Sequence, residues 1–263
     1  MTRTGRFVGE RIVRDSASAE VAYDDLGSGE VVVLLHGFAG TAHAHFDPLI
    51  EALTPTYRII APDLRGYGRS ARLARMPDTE MFRRDARDVQ AILDDIAAPF
   101  AHIVGFSDGA EAGIILASQL GTRARSLTVW GVSGRIPPPE VVSLYAEPET
   151  RIPNWPRLRD RLDELHGQGR AVGIVSAWAG AMSEFAQHGG DINGREAASV
   201  TCPTLVLASD SDPYNPLERT QELVARIPTA RLIVLPQAGH DLLHERGPQV
   251  IALIKRMLAS SQA

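Results

Sequence analysis

The sequence predicts an α/β fold: a mostly parallel sheet of about eight strands, flanked by helices and interrupted once by a helical insertion. Three observations predict it. Short β-rich runs alternate with helix-like segments along most of the chain, as expected when each parallel strand returns through a helix. The central runs are nearly continuous Val, Ile and Leu, which strands covered on both faces require. Between about Ile136 and Val200 the alternation stops and only helical patterns remain.

In order, the strand-like runs are Arg6–Val13, Glu20–Tyr23, Val31–Leu35, Arg58–Ala61, His102–Val104, Leu127–Trp130, Thr204–Ala208 and Arg231–Leu235. The first two read as an antiparallel ribbon, with Gly27-Ser28-Gly29 as a tight turn in it. Helix-like segments follow at Thr79–Ile96, Gly109–Leu120, Leu217–Arg226 and Pro248–Leu258. The first sets Met81, Phe82, Val89, Ile92 and Leu93 among acids and arginines, an amphipathic pattern. Pro137-Pro138-Pro139 opens the break in alternation, and helical patterns then cover Trp155–His166 and Ala171–Gln187. The expected organisation is a core domain of residues 1–135 and 200–263, with residues 136–199 as a small helical cap.

A chain of 263 residues, 44% of them hydrophobic, can bury a large single core. Its net charge of −5 supplies no basic footprint, so nucleic acid is not an expected partner. The single cysteine, Cys202, cannot form an internal disulfide and reads as a buried thiol in a reducing compartment, without a metal cluster. Met1–Arg14 carries four arginines among polar residues and lacks the apolar core of a signal peptide. No run approaches the roughly 20 apolar residues of a membrane helix. The expectation is a soluble, cytoplasmic protein with no membrane insertion, a small molecule as its partner and no stated oligomeric state.

Gly105-Phe106-Ser107-Asp108-Gly109 carries the chemistry. It joins the apolar run Ala101-His102-Ile103-Val104 to a small-residue helix closed by Gly121. A serine at a strand-to-helix turn, with glycine two residues away on each side, is a nucleophile elbow. A serine hydroxyl is a weak nucleophile and needs a base that an acid in turn orients. His240, in Gln237-Ala238-Gly239-His240-Asp241, follows one strand-like run and supplies the base. Asp212 and Asp210, in Ser209-Asp210-Ser211-Asp212-Pro213, follow another. Asp210 is nearer the strand end; Asp212 is preferred because Pro213 fixes the turn that presents it. Loops after the carboxyl ends of parallel strands converge on one edge, so the three groups can meet.

Of the other histidines, His36 reads as a residue pinning its loop and His102 as packing. His43, His45, His166, His188 and His244 sit in cap, loop or helix contexts with no matching acid. Acyl transfer also needs donors aimed at the oxyanion. His36-Gly37-Phe38-Ala39-Gly40 ends a strand, and the backbone N–H groups of Phe38 and Asp108 are the candidates. Asp63-Leu64-Arg65-Gly66-Tyr67-Gly68-Arg69-Ser70 reads as a packed turn with an internal Asp–Arg pair; it lacks a P-loop lysine.

On these residues the chain resembles the α/β-hydrolase superfamily over nearly its whole length. Asp108 after the nucleophile and Val129-Trp130-Gly131 after the next strand also resemble the valacyclovir-hydrolase (biphenyl-hydrolase-like) group. The superfamily resemblance implies the α/β-hydrolase fold and a cofactor-free serine hydrolase acting on a small carboxylic ester. In the group, the aspartate is associated with the amino group of aminoacyl ester substrates, a role that would fall on Asp108. The other reading is an Asp108 neutralised by its helix's first turn or by a cap residue. Glu111 departs from the apolar residue expected there and reads as facing solvent or cap. Tyr145, Trp155, Trp178, Met182 and Phe185 are the candidates for lining the pocket. Dehalogenase and epoxide-hydrolase chemistry use an aspartate where Ser107 stands, and hydroxynitrile lyases a lysine near the histidine. Carbon–carbon bond hydrolysis and cofactor-free perhydrolysis keep the same triad and stay open, as does a low-turnover ligand-binding role on the hydrolase scaffold.

Overall fold

The computed structural model describes residues 7–14 and 20–261. Eight strands form one sheet: β1 (Phe7–Arg14), β2 (Glu20–Gly27), β3 (Val31–Leu35), β4 (Arg58–Pro62), β5 (Ala101–Phe106), β6 (Ala124–Trp130), β7 (Thr204–Ser209) and β8 (Ala230–Leu235). Their spatial order is β1-β2-β4-β3-β5-β6-β7-β8. β1 and β2 pair antiparallel and β2 joins β4 antiparallel, whereas β4 through β8 run parallel. The ribbon and the parallel sheet are as the sequence predicts.

Strand alternation divides the core into two layers. Val33 and Leu35 face the helices α2 (Met81–Asp95) and α3 (Asp108–Leu120), while Val32 and Leu34 face α1 (Ala42–Leu53) and the C-terminal helix. Met81, Phe82, Val89, Ile92 and Leu93 are all fully buried. Each contributes about 1.5–3 kcal/mol of transfer free energy, so the amphipathic stripe read from the sequence is what seats α2. Helix α3 lies over the centre of the sheet and is apolar nearly all round, because almost every side is covered.

Between β6 and β7 run α4 (Pro139–Leu144), α5 (Pro148–Arg151), α6 (Pro156–His166), α7 (Ala171–Gln187) and α8 (Gly194–Ala197). No strand lies in this insert; an isolated bridge from Arg135 to Asp191 closes its base. Ile174, Trp178, Ala181, Met182 and Phe185 of α7 join the main core, and Ile152, Leu162, Ala171 and Val175 form a small cluster beside it. The chain ends through α9 (Leu217–Arg226), α10 (Leu242–Glu245) and α11 (Gly247–Ser260). Among the described residues no helix is long and apolar enough to cross a membrane. Cys202 is buried, and burial pushes its thiol up to about 11.

Two features differ from the sequence reading. Gly27-Ser28-Gly29 does not turn within the ribbon. It carries the chain from β2 to β3, which pairs with β4 and β5 because β4 occupies the free edge of β2. The ribbon's own connection, residues 15–19, lies outside the described residues. Helix α1 has no counterpart in the sequence reading. Thr41 caps it, its Oγ1 accepting from the Ala44 amide at 3.1 Å, and Phe46, Leu49, Ile50 and Leu53 bury one face despite Pro48 within it.

Candidate active site

The elbow is built as its glycines require. Ser107 has φ 54° and ψ −123°, a strained conformation for a residue with a side chain, and its amide donates to Trp130 O at 2.9 Å. A Cβ on Gly105 would come within 2.6 Å of Gly109 O, and one on Gly109 would press into the carbonyls of Leu35 and His36. Only glycine lets strand, turn and helix pack this closely.

Ser107 Oγ lies 3.0 Å from His240 Nε2, and His240 Nδ1 lies 2.8 Å from Asp212 Oδ2. Asp212 is anchored in turn, its Oδ1 accepting from the amides of Tyr214 (2.8 Å) and Asn215 (3.1 Å). Asn215 Nδ2 donates to Gly131 O at 2.9 Å, tying this turn to the end of β6. The geometry separates the two acids. Asp210 is exposed, accepts from the Gln237 amide and the Ser211 hydroxyl, and is held below its ordinary pKa by those bonds.

The loop after β3 is clamped by three imidazoles. His36, fully buried, donates from Nδ1 to Gly37 O at 2.9 Å and accepts the Leu64 amide on Nε2 at 2.8 Å. His45 Nδ1 accepts the Gly37 amide at 3.1 Å. His166, from α6, donates from Nε2 to Ala39 O at 3.0 Å and accepts the Gly68 amide at 2.8 Å. Burial pushes His36 down to about 4 and His45 to about 3, so both are neutral near pH 7, and it lowers His166 as well. Between these clamps the Phe38 amide donates to no backbone acceptor among the described residues. The Asp108 amide opens α3, where no intrahelical acceptor exists.

The Asp63–Ser70 turn contains the expected pair, Arg69 Nε to Asp63 Oδ2 at 2.8 Å. The remaining histidines are more varied than the sequence suggests. His102 donates or accepts at Ser126 Oγ inside the sheet, and the exposed His188 meets the Glu184 carbonyl. His43 does have acids, Asp24 and Asp47, and His244 pairs with Asp241 at 2.9 Å. These pairs are local and exposed, and none reaches Ser107.

Above the serine is a cavity of about 300 Å³. Of the predicted lining, Tyr145, Trp178 and Met182 border it, together with Phe38 and Asp108. Trp155 and Phe185 do not. Trp155 sits behind Tyr145, edge-on at 6.3 Å between centroids, and Phe185 stacks behind Phe82 at 5.9 Å. Phe82, His45, Leu158, Tyr214 and Arg135 also border the cavity, a place the sequence reading does not give them. Tyr214 carried a usable signal, since it stands two residues beyond Asp212; its ring lies 4.8 Å from that of His240.

Two buried carboxyls stand in the wall. Asp108 Oδ1 accepts from Trp178 Nε1 at 3.3 Å, while Oδ2 lies 4.0 Å from Arg75 and has no hydrogen-bond partner among the described residues. Arg75 is itself held by both oxygens of Asp85 at 3.0 and 2.9 Å. Burial pushes Asp108 up to about 6. Glu111 does not face solvent. Its Oε1 accepts the Gly134 amide at 3.0 Å and its Oε2 meets Asn193 Nδ2. Burial pushes Glu111 up to about 8.

A model of the alpha/beta hydrolase family matches residues 32–253. The mouse (Mus musculus) serine hydrolase BPHL is 27% identical over 224 residues, covering 84% of this chain and 76% of its own. A putative carbamate hydrolase, RutD, from Variovorax paradoxus is 31% identical over 235 residues, covering 81% and 85%. Among solved structures, the 2-hydroxy-6-oxo-6-phenylhexa-2,4-dienoate hydrolase of Rhodococcus sp. strain RHA1 superposes with a TM-score of 0.80. It is 19% identical and covers 97% of this chain and all of that one, a likeness of fold. The sequence resemblance to the BPHL group thus recurs in the relatives. With a family match spanning the elbow, the acid turn and the histidine loop, this chain belongs to the alpha/beta hydrolase family.

Proposed function

We propose that the protein is a serine hydrolase that cleaves a small carboxylic ester through an acyl-enzyme intermediate. The observation that carries this reading is the continuous hydrogen-bond chain from Ser107 through His240 to Asp212 beneath the cavity. Ser107 Oγ bonds to the ester carbonyl carbon as its proton passes to His240 Nε2. Asp212 holds Nδ1–H, fixing the tautomer that leaves Nε2 able to accept. The carbonyl oxygen becomes an oxyanion facing the Phe38 and Asp108 amides. The C–O bond then breaks, and the leaving alcohol takes the proton from His240. Water repeats the sequence on the acyl-enzyme and releases the acid. In this reading residues 136–199 act as a cap over the pocket.

The test is hydrolysis of p-nitrophenyl acetate and butyrate by the wild type and Ser107→Ala. The variant loses several orders of magnitude in kcat. Undiminished turnover in the variant, or none in either protein, overturns the reading. A 2-hydroxy-6-oxodienoate run beside the esters separates carbon–carbon bond hydrolysis, the reaction class named for relatives such as the Burkholderia cepacia enzyme.

A second reading concerns the acyl group and is favoured by the unpartnered Oδ2 of Asp108 in the cavity wall. There a substrate ammonium would neutralise the excess acid of the Asp85–Arg75–Asp108 cluster. An aminoacyl ester then outruns its des-amino analogue in the wild type, and Asp108→Asn abolishes the difference. Equal preference in both proteins removes this reading and leaves the ester reading in place.

A further inference from the structure

We infer that the substrate carries an anionic group, most simply a carboxylate, and that Arg135 binds it. The inference rests on the ester reading above and extends it to a substrate class. Arg135 follows β6 at the base of the insert and is the only lysine or arginine among the described residues that lines the cavity. Its backbone is fixed on both sides: its carbonyl accepts from Ser133 Oγ at 3.2 Å, and its bridge to Asp191 ties it to the end of the insert. One guanidinium nitrogen, Nη2, donates to Gly189 O at 3.1 Å, which tethers the group without neutralising it. A guanidinium has five N–H donors in a planar fork, so most of them remain for a ligand.

The surrounding acids are already engaged. Asp191, across the bridge, pairs with Arg226 at 2.9 Å and accepts the Gly194 amide. Glu111 is held by Gly134 and Asn193 and Asp241 by His244, while Asp108 accepts from Trp178 and turns its open Oδ2 toward Arg75, 4.0 Å away, not toward Arg135. No carboxylate among the described residues lies within ion-pair distance of Arg135. A cation at the edge of an apolar, partly enclosed cavity, with no carboxylate among the described residues paired to it, is the arrangement that selects a bidentate anion. Such a pair acts mainly on binding and so on KM.

The test compares matched esters in wild type, Arg135→Gln and Arg135→Lys. On the acyl side, p-nitrophenyl hydrogen glutarate is paired with p-nitrophenyl valerate. On the leaving-group side, 4-acetoxybenzoate is paired with 4-acetoxybenzamide. In at least one pair the wild type favours the anion, and Arg135→Gln cuts kcat/KM for it at least tenfold through KM while moving the neutral ester less than threefold. Arg135→Lys recovers part of the loss, and 0.5 M NaCl erodes the wild-type preference, as expected for roughly a charge pair at the solvent edge. The inference is overturned if neither pair shows a charge-dependent loss, or if Arg135→Gln lowers both members of each pair equally. If Arg135→Gln fails to fold, the wild-type preference, its salt dependence and Arg135→Lys decide. Ser107-dependent turnover of the neutral esters without any anion preference sinks this inference alone, whereas turnover that survives Ser107→Ala sinks the ester reading beneath it.

Discussion

Replacing Gly109 with alanine inserts one methyl group where α3 rests on β3. The new Cβ would lie 2.5 Å from His36 O and closer still to the Leu35 carbonyl, against 3.4 Å for ordinary contact. Both obstacles are backbone, so no side chain can swing aside; the helix must retreat from the strand by about 0.9 Å or more. That retreat separates the two candidate oxyanion donors, because the Asp108 amide rides on α3 and the Phe38 amide on the loop that leaves β3. Loss of one such donor costs about 10²–10³ in kcat, and overpacking a core of this kind costs about 1–3 kcal/mol. Gly113, one turn further along the same helix, is the control. A Cβ there meets Ile103, Leu35 and Leu127 side chains at 3.4–3.7 Å, which is ordinary contact, and alanine gains up to about 1 kcal/mol in a helix interior. The assay is p-nitrophenyl butyrate turnover with urea denaturation of both variants. Gly109→Ala falls at least 10²-fold in kcat and unfolds at lower urea, and Gly113→Ala matches or exceeds the wild type. A folded Gly109→Ala within fivefold of wild-type kcat refutes the reasoning.

Two further outcomes follow from the site. Asp212→Asn keeps the oxygen that accepts the Tyr214 and Asn215 amides but turns an N–H toward His240 Nδ1. The imidazole then carries its proton on Nε2 and cannot accept from Ser107, so kcat drops about 10⁴-fold with little change in fold; a loss under tenfold contradicts the assignment. Glu111→Gln reports on a buried acid. The unfolded chain releases this proton near 4.5 and the folded protein holds it to about 8, so between those values the folded state binds more protons and stability falls as pH rises. Glutamine removes that slope, and Asn193, whose Oδ1 is unpartnered, can turn its amide to accept from it. The advantage of Glu111→Gln in urea midpoint therefore grows from pH 5 to pH 8, reaching a few kcal/mol at roughly 1.4 kcal/mol per pKa unit. An advantage constant across that range is the contrary result.

The candidate triad is legible in the sequence because each of its residues is announced by its own neighbours. Glycines bracket Ser107, a strand and a proline bracket Asp212, and a strand precedes His240, so local pattern and sheet topology were sufficient. The pocket wall was not legible in the same way. Trp155 and Phe185 differ from Tyr145 and Met182 only in where the insert's helices set down, and helical periodicity shows which face is apolar without showing what it covers. Phe82 shows the same limit from the other side, since the stripe that seats α2 also delivers a ring to the cavity. Helix α1 is hidden in the sequence because Pro48 interrupts an otherwise readable apolar face, and the hold of His45 on the Gly37 amide is hidden with it. Glu111 was misplaced because charge on a helix usually marks its wet side. Helix α3 has almost no wet side, being covered by the sheet, α2 and the insert.

The clasp that His166 makes ties the insert to the loop after β3. The side chain belongs to the insert, which contributes Tyr145, Leu158, Trp178 and Met182 to the cavity wall, yet it holds Ala39 O, one residue from the amide that would face the oxyanion. Exchanging the insert for another sequence would therefore retune the rate as well as the fit, unless the replacement returned an acceptor for Gly68 and a donor for Ala39 at the same point in space. On the proposed function, a change at Leu158 or Tyr145 would alter the pocket wall, whereas one at His166 would also reach the loop that carries the Phe38 amide.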